Sequence, residues 1–265
     1  MSWKIKGKSV NLDEDLTGIV LAFDTGVSSS YPGSGDTFFD LSGNGYDAIK
    51  TGSRVSFNSS ENAWEFTGTT DVASEGIYIT GLNYVSGSSD AISNLSIVSW
   101  IKNNSGTTSH GNDQRIILSF DRSAVFRFAI GNDTISSVEG KPTFGFCDAT
   151  GTPLDIGATS YSGDLRDDQW HHVCVTFDNS NVKFYVDGIL VHTSTGSYGS
   201  IGSHSDVETP RYGWIGNGSE ATSAGGTTDP DDLFYGFISK INYYYRTLDD
   251  AEVLQNYNAT QSRYT

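Results

Sequence analysis

The stretch from 170 to 188 constrains the fold more than any other. Val173, Val175 and Phe177 recur at period two, and so do Val182, Phe184 and Val186. That period places the apolar side chains of each run on one face of an extended strand. Asp178-Asn179-Ser180-Asn181 separates the two runs, and Asp187-Gly188 ends the second. Asn and Asp bond to their own nearby backbone, and Gly accepts positive φ without steric cost. The spacing predicts a hairpin and then a second tight turn into Ile189–His192. A chain organised this way stacks β-layers.

Composition supports the same class. Of 265 residues, 30 are Gly, and the 32 acids divide into 24 Asp and eight Glu. Glu favours helices whereas Asp favours turns, so the bias describes many short strands joined by many turns. Aromatic residues make up 12% of the chain, enough burial to offset the entropy of ordering and to argue against disorder. The length suits one large β-sandwich. A net charge of −16 argues against nucleic-acid binding over a broad surface. The longest apolar run, Ile19–Phe23, is too short to insert in a membrane as a helix. The first residues carry no apolar stretch of the signal-peptide kind, which predicts synthesis in a cytoplasm without secretion. Two cysteines are too few for a disulfide scaffold, so Cys147 and Cys174 are expected as buried free thiols.

Further strands are expected at Ile19–Phe23, Leu95–Ile101, Arg115–Phe120, Ala124–Ile130 and Pro142–Cys147. Leu95–Ile101 carries bulk on both faces and should be central. Asp121-Arg122-Ser123 has the length of a hairpin connection. One short helix is predicted near the C-terminus. Asp249 and Glu252 have capping-box spacing, with Leu248 and Val253 at the staple positions. It should end near Asn258. Segments 103–114, 196–209 and 217–232 read as loops on composition. Residues 1–16 differ from the rest. Trp3, Ile5 and Val10 are apolar, while Lys4, Lys6 and Lys8 interleave with them. Two readings stand: a first strand of the domain, or an assembly arm that adds a strand to a neighbouring subunit. The domain proper is then 17–265.

Several motifs follow in a telling order. They are Asp40-Leu41-Ser42-Gly43-Asn44-Gly45, Trp64-Glu65-Phe66, and Leu95-Ser96-Ile97-Val98-Ser99-Trp100. Then come Trp170-His171-His172-Val173 with Asp187-Gly188, and Gly236-Phe237-Ile238-Ser239. Together they make the chain resemble laminin-G-like domains of the concanavalin A-like lectin/glucanase superfamily over residues 18–258. The run Tyr31-Pro32-Gly33-Ser34-Gly35, leading into the 40–45 motif, is similar to laminin-G-like domains of tailed-bacteriophage virion proteins. The resemblance implies an all-β, two-sheet antiparallel jelly-roll sandwich with one convex and one concave sheet and a short C-terminal helix. It implies that Trp170 anchors a corner at the core, and that one of His171 and His172 is hydrogen-bonded inside the sandwich.

The resemblance also sets the chemical expectations. Superfamily glycosidases carry Glu and Asp alternating on one strand, so that both acids share a face. None of the eight glutamates sits in such a pattern within a strand-like run, so no catalysis is expected. Family members often hold calcium where the first and last strands meet, with an Asp from a G-x-I-D pattern; here that position is Ser239. Calcium is therefore not an expected cofactor at this place. Asp229, Asp231 and Asp232 are kept as candidate metal ligands in a loop, with turn formation as the competing reading. His171 and His172 point to opposite faces and cannot share a metal. Glycan binding would use aromatic faces and polar donors beside the long loops, which selects Tyr198, Arg211, Tyr212 and Trp214. Tyr243, Tyr244 and Tyr245 are read mostly as packing. The expected function is a structural or adhesive component of a phage particle. Its partners are other virion proteins and surface polysaccharide, and it is present as a homo-oligomer or in many copies. The rival expectation is a calcium-assisted lectin not tied to a particle.

Overall fold

The computed structural model describes residues 3–5, 8–10, 14–67, 74–85, 87, 90–105, 114–131, 137–204 and 209–264, with the side chains of 3–5, 8–10 and 229–231 excepted. Two antiparallel sheets face each other. The first has the strand order Ile189–Thr195, Asn181–Val186, Trp170–Phe177, Leu95–Asn103, Tyr235–Tyr244, Ala63–Thr67 and Val55–Asn58, and Ile19–Asp24 also pairs with Tyr235–Tyr244. The second runs Pro153–Gly157, Pro142–Cys147, Phe126–Ile130, Arg115–Ser119, Arg211–Ile215, Gly76–Tyr84, Ala48–Thr51 and Thr37–Phe38. This is the expected sandwich, and Leu95–Asn103 lies in the interior of its sheet between two long neighbours.

Period-two alternation builds the core. Ile97 and Ile101, Val173, Val175 and Phe177, and Val182, Phe184 and Val186 point inward from the first sheet. They meet Ile77, Ile79, Phe126, Phe128, Phe144 and Phe146 of the second. The predicted hairpin forms with Phe177 opposite Val182. Asp187 and Gly188 both have positive φ, 51° and 78°, the pair that a two-residue I′ turn requires. A side chain at Gly188 would also meet Leu254 and Tyr257 of the helix, so this glycine serves a close approach as well as a turn.

Helix α1 spans Asp250–Thr260 and starts with both halves of the capping box: Asp249 accepts from Ala251 and Glu252, and Glu252 accepts from the Asp249 amide. It lies on the outer face of the first sheet, where Leu248 and Val253 join Val98, Cys174, Tyr185 and Tyr244 in a second apolar cluster.

The structure corrects several expectations. Segment 217–232 is not simply a loop: Asn217–Ser219 and Thr228–Leu233 pair antiparallel across the middle strands of the second sheet. The sequence of that pair is polar and lacks alternation, so periodicity does not reveal it. Trp170 is half-buried on the outer face, bonding Glu61 through Nε1 at 3.1 Å, and does not enter the core. His172 is buried beneath the helix against Trp100 and Tyr257, with no hydrogen-bond partner on either ring nitrogen; His171 holds the hydrogen bond, 2.9 Å to Asp187. Burial lowers the His172 pKa to about 3, so the ring stays neutral. Cys147 and Cys174 are both buried and are not joined in a disulfide. Trp3–Ile5 and Lys8–Val10 pair with each other as a small separate hairpin rather than extending a main sheet. The expected arm residues Trp3, Lys4, Ile5 and Lys8 lie on it, and Lys6 falls outside the described residues.

Candidate functional site

The face of the second sheet carries an ionic lattice. Its central strands bring Arg127 and Arg211 to the surface beside the turn 121–123, and the pair 217–219/228–233 closes one side. Asp121 adopts positive φ, and its Oδ1 accepts from the Ser123 amide, so the turn chemistry expected of Asp121-Arg122-Ser123 fixes the carboxylate in place. Arg211 Nε then donates to Asp121 Oδ2 at 2.5 Å. Arg127 bridges two acids, 2.7 Å to Asp232 and 3.2 Å to Asp155. Arg122 joins Asp155 at 3.0 Å. Asp232 also accepts from the Gln114 amide at 3.2 Å. The cleft at the centre is small, about 50 Å³, and is rimmed by Ser119, Ser123, Ser219 and Glu220.

Two residues singled out in the sequence belong to this place. Of the residues chosen separately as glycan and metal candidates, Asp232 lines this cleft, and Arg211 stands behind it, bonded to the lining residue Asp121. Asp232 is committed to Arg127, so its metal reading gives way to an ion pair. The side chains of Asp229 and Asp231 lie outside the described residues. Tyr212 is held through its backbone, which accepts from Ser219 Oγ and donates to Ala221. Trp214 is fully buried against Tyr78 and cannot meet a ligand. Tyr198 packs on Phe146 and Phe177 and bonds Ser194, away from the cleft residues. Arg122, Arg127 and Asp155 escape sequence reasoning because nothing local links them: Asp232 is 105 residues from Arg127.

The calcium position implied by the resemblance does not fit a hard cation here. Ser239 Oγ lies 2.9 Å from Thr25 Oγ1 and 2.8 Å from the Tyr264 hydroxyl. The nearby carboxylate, Asp24, is held by the chain's own cations, Lys240 at 2.9 Å and Arg263 in two contacts. Hydroxyl pairs and a guanidinium occupy the donors that calcium would need. The one acid of the 40–45 motif is equally committed. Asp40 accepts from the amides of Ala22, Ser42 and Tyr46, which makes it a turn anchor.

The glutamates weighed for catalysis are engaged too. Glu61 bonds Lys102 Nζ at 2.8 Å, which holds its carboxyl below the usual range. Glu65 accepts from Asn58 at 2.9 Å. Among the described residues, no group of three or more His, Cys, Asp or Glu side chains is placed to hold a metal ion.

Comparison with known proteins bears on the fold and the family. Human pentraxin-4 is 29% identical over 172 residues, which is 62% of this chain and 31% of that protein. The binding domain of Paraclostridial Mosquitocidal Protein 1 superposes with a TM-score of 0.59 at 15% identity, covering 92% of this chain and 52% of that one. Binding domains of botulinum neurotoxin DC, solved with SialylT and with rat synaptotagmin II, give TM-scores of 0.58 and 0.57 at 14% identity, again over 92% of this chain. The chain therefore spans about half of each toxin chain and less than a third of pentraxin-4. At these identities the toxins share the fold alone. Residues 78–254 match the laminin-G family described as concanavalin A-like lectin/glucanases superfamily, and with two thirds of its length inside that match the chain belongs to this family.

Proposed function

We propose that this chain is a non-catalytic recognition domain of a tailed-bacteriophage particle, docking to other virion proteins and adhering to polysaccharide. The ionic lattice carries the non-catalytic half of the reading. Glycoside cleavage needs two carboxylates facing the scissile bond, whereas Asp121, Asp155 and Asp232 are each joined to an arginine. What remains is a fixed array of guanidinium, carboxylate and hydroxyl groups, suited to hydrogen-bonding a polar surface. Shared fold with domains solved on SialylT and on synaptotagmin II supports recognition of either glycan or protein. The similarity of segment 31–45 to virion proteins supports the particle, and the paired strands Trp3–Ile5 and Lys8–Val10, in a lysine-rich stretch of sequence, support a docking arm. Calcium has no part in this reading.

Mass spectrometry of purified particles and a glycan array with and without calcium test it together. The chain is expected in the particle, with glycan binding that survives chelation. Deleting residues 1–13 is expected to abolish incorporation while leaving the melting temperature unchanged. Continued incorporation of the truncated protein would end the arm's role. Absence from particles would end the virion reading, and binding lost on chelation would favour a calcium lectin.

A further inference from the structure

We infer that the groove between segment 90–94 and Tyr245 is a binding site for an uncharged hexose unit of a polysaccharide. This deepens the reading above, on which it rests for glycan as the ligand class, but it names a different place on the molecule.

Tyr243 and Tyr244 are buried on opposite faces of their strand, as the alternation requires. Tyr245 leaves the sheet and is 49% exposed, which corrects its reading as packing. Its ring is nevertheless fixed. The Tyr245 hydroxyl donates to Tyr84 at 2.6 Å, and Tyr84 lies 2.9 Å from the hydroxyl of Tyr243, both of them buried. Edge-to-face contacts with both rings, at 6.3 and 5.5 Å, brace it further. Burial raises the Tyr245 phenol, against the effect of its hydrogen bonding with neighbouring tyrosines, so it stays neutral at physiological pH. An exposed aromatic held in one rotamer loses little entropy when a ligand stacks on it.

The groove beside this ring has a volume of about 340 Å³, within the range of small-molecule sites. Asp90, Ser93 and Asn94 line it over Ile92, which is buried. Ser93 is positioned by Ser200 at 3.0 Å, and Asn94 by Thr247, which donates to its Oδ1 at 3.1 Å. A carboxylate, a hydroxyl and an amide next to an aromatic face match a pyranose, which offers C–H groups on one side and hydroxyls around its rim. Among the described residues, the lining has no Lys or Arg. With Asp90 present on a chain of net charge −16, an anionic sugar is repelled. That selects neutral hexoses against sialylated ones.

Saturation-transfer NMR on the full chain tests this with glucose, galactose, mannose and N-acetylglucosamine, and with N-acetylneuraminic acid as the charged probe. At least one neutral sugar is expected to bind, with Kd on the order of 1 mM for so open a groove. Tyr245→Ala and Asn94→Ala should each cut the signal about fivefold or more. Asn94→Ala guards against a folding defect in the tyrosine variant, since Asn94 is exposed. The proposal falls if no neutral sugar gives transfer, if the signal is unchanged in Asn94→Ala, or if only the acidic sugar binds. Silent NMR with array binding intact overturns the groove and leaves recognition standing. A silent array together with silent NMR overturns both.

Discussion

The two sheets cover their outer faces by opposite means. Over the first, helix α1 and the residues after it lay down aromatic rings. Trp100 stacks on Tyr264 at 4.1 Å and on Tyr257 at 5.8 Å, and its Nε1 donates to Thr260. Over the second, a short polar strand pair lies across the middle strands and three arginines interlock with three aspartates. The first cover is sealed by shape, so nothing can exchange there without undocking the helix. The second keeps donors and acceptors at the surface, where a partner can compete for them. A shared sandwich thus has one face closed for stability and one left chemically open.

Removing Trp100 should separate the two covers most clearly. Trp100→Ala deletes the stack and the bond to Thr260, and is expected to cost about 3–5 kcal/mol in urea unfolding. A loss under about 1 kcal/mol would mean that the helix is not held by this stack.

Asp24 is the charged bolt at the rim of the same cover. Burial alone would raise its carboxyl, but the Arg263 hydrogen bonds and the Lys240 and Arg263 charges outweigh that and hold it below the usual carboxylate range. A lowered folded value gives stability that is complete above the unfolded pKa, about 3.9, and is lost as pH falls through the folded one. Asp24→Asn should cost about 2–3 kcal/mol at neutral pH, with Lys240 retaining Glu14 as a partner. The gap from the parent should narrow as unfolding is measured at progressively lower pH below about 3.9. A gap independent of pH would assign the effect to packing.

Arg127→Met should have the smallest effect on stability, about 1–2 kcal/mol, because Asp155 and Asp232 keep other partners and some access to water. Its larger consequence should be on binding to the open face, read by the glycan array. A stability loss as large as that of Trp100→Ala would make the lattice a structural seal like its counterpart.

Much of this is legible along the chain. The hairpin at 177–182, the central strand at 95–101 and the capping box at Asp249 are all written in adjacent residues. Periodicity and turn chemistry act over a few positions, so they survive without knowledge of the neighbours. Strands such as Ala48–Thr51 and Arg211–Ile215 are short and mixed, and they are strands because adjacent strands pair with them. The polar pair over the second sheet is hidden for the same reason.

Local sequence thus determined the β-class, the principal turns and the helix start, because each depends on backbone preference and on side-chain alternation within a few residues. Tertiary packing alone decided that Trp214 is buried and Tyr245 exposed, although both are aromatics in or next to strands. It alone joined Arg127 to Asp155 and Asp232. Exposure and charge pairing are set by which elements cross in space, and chain spacing does not encode that crossing.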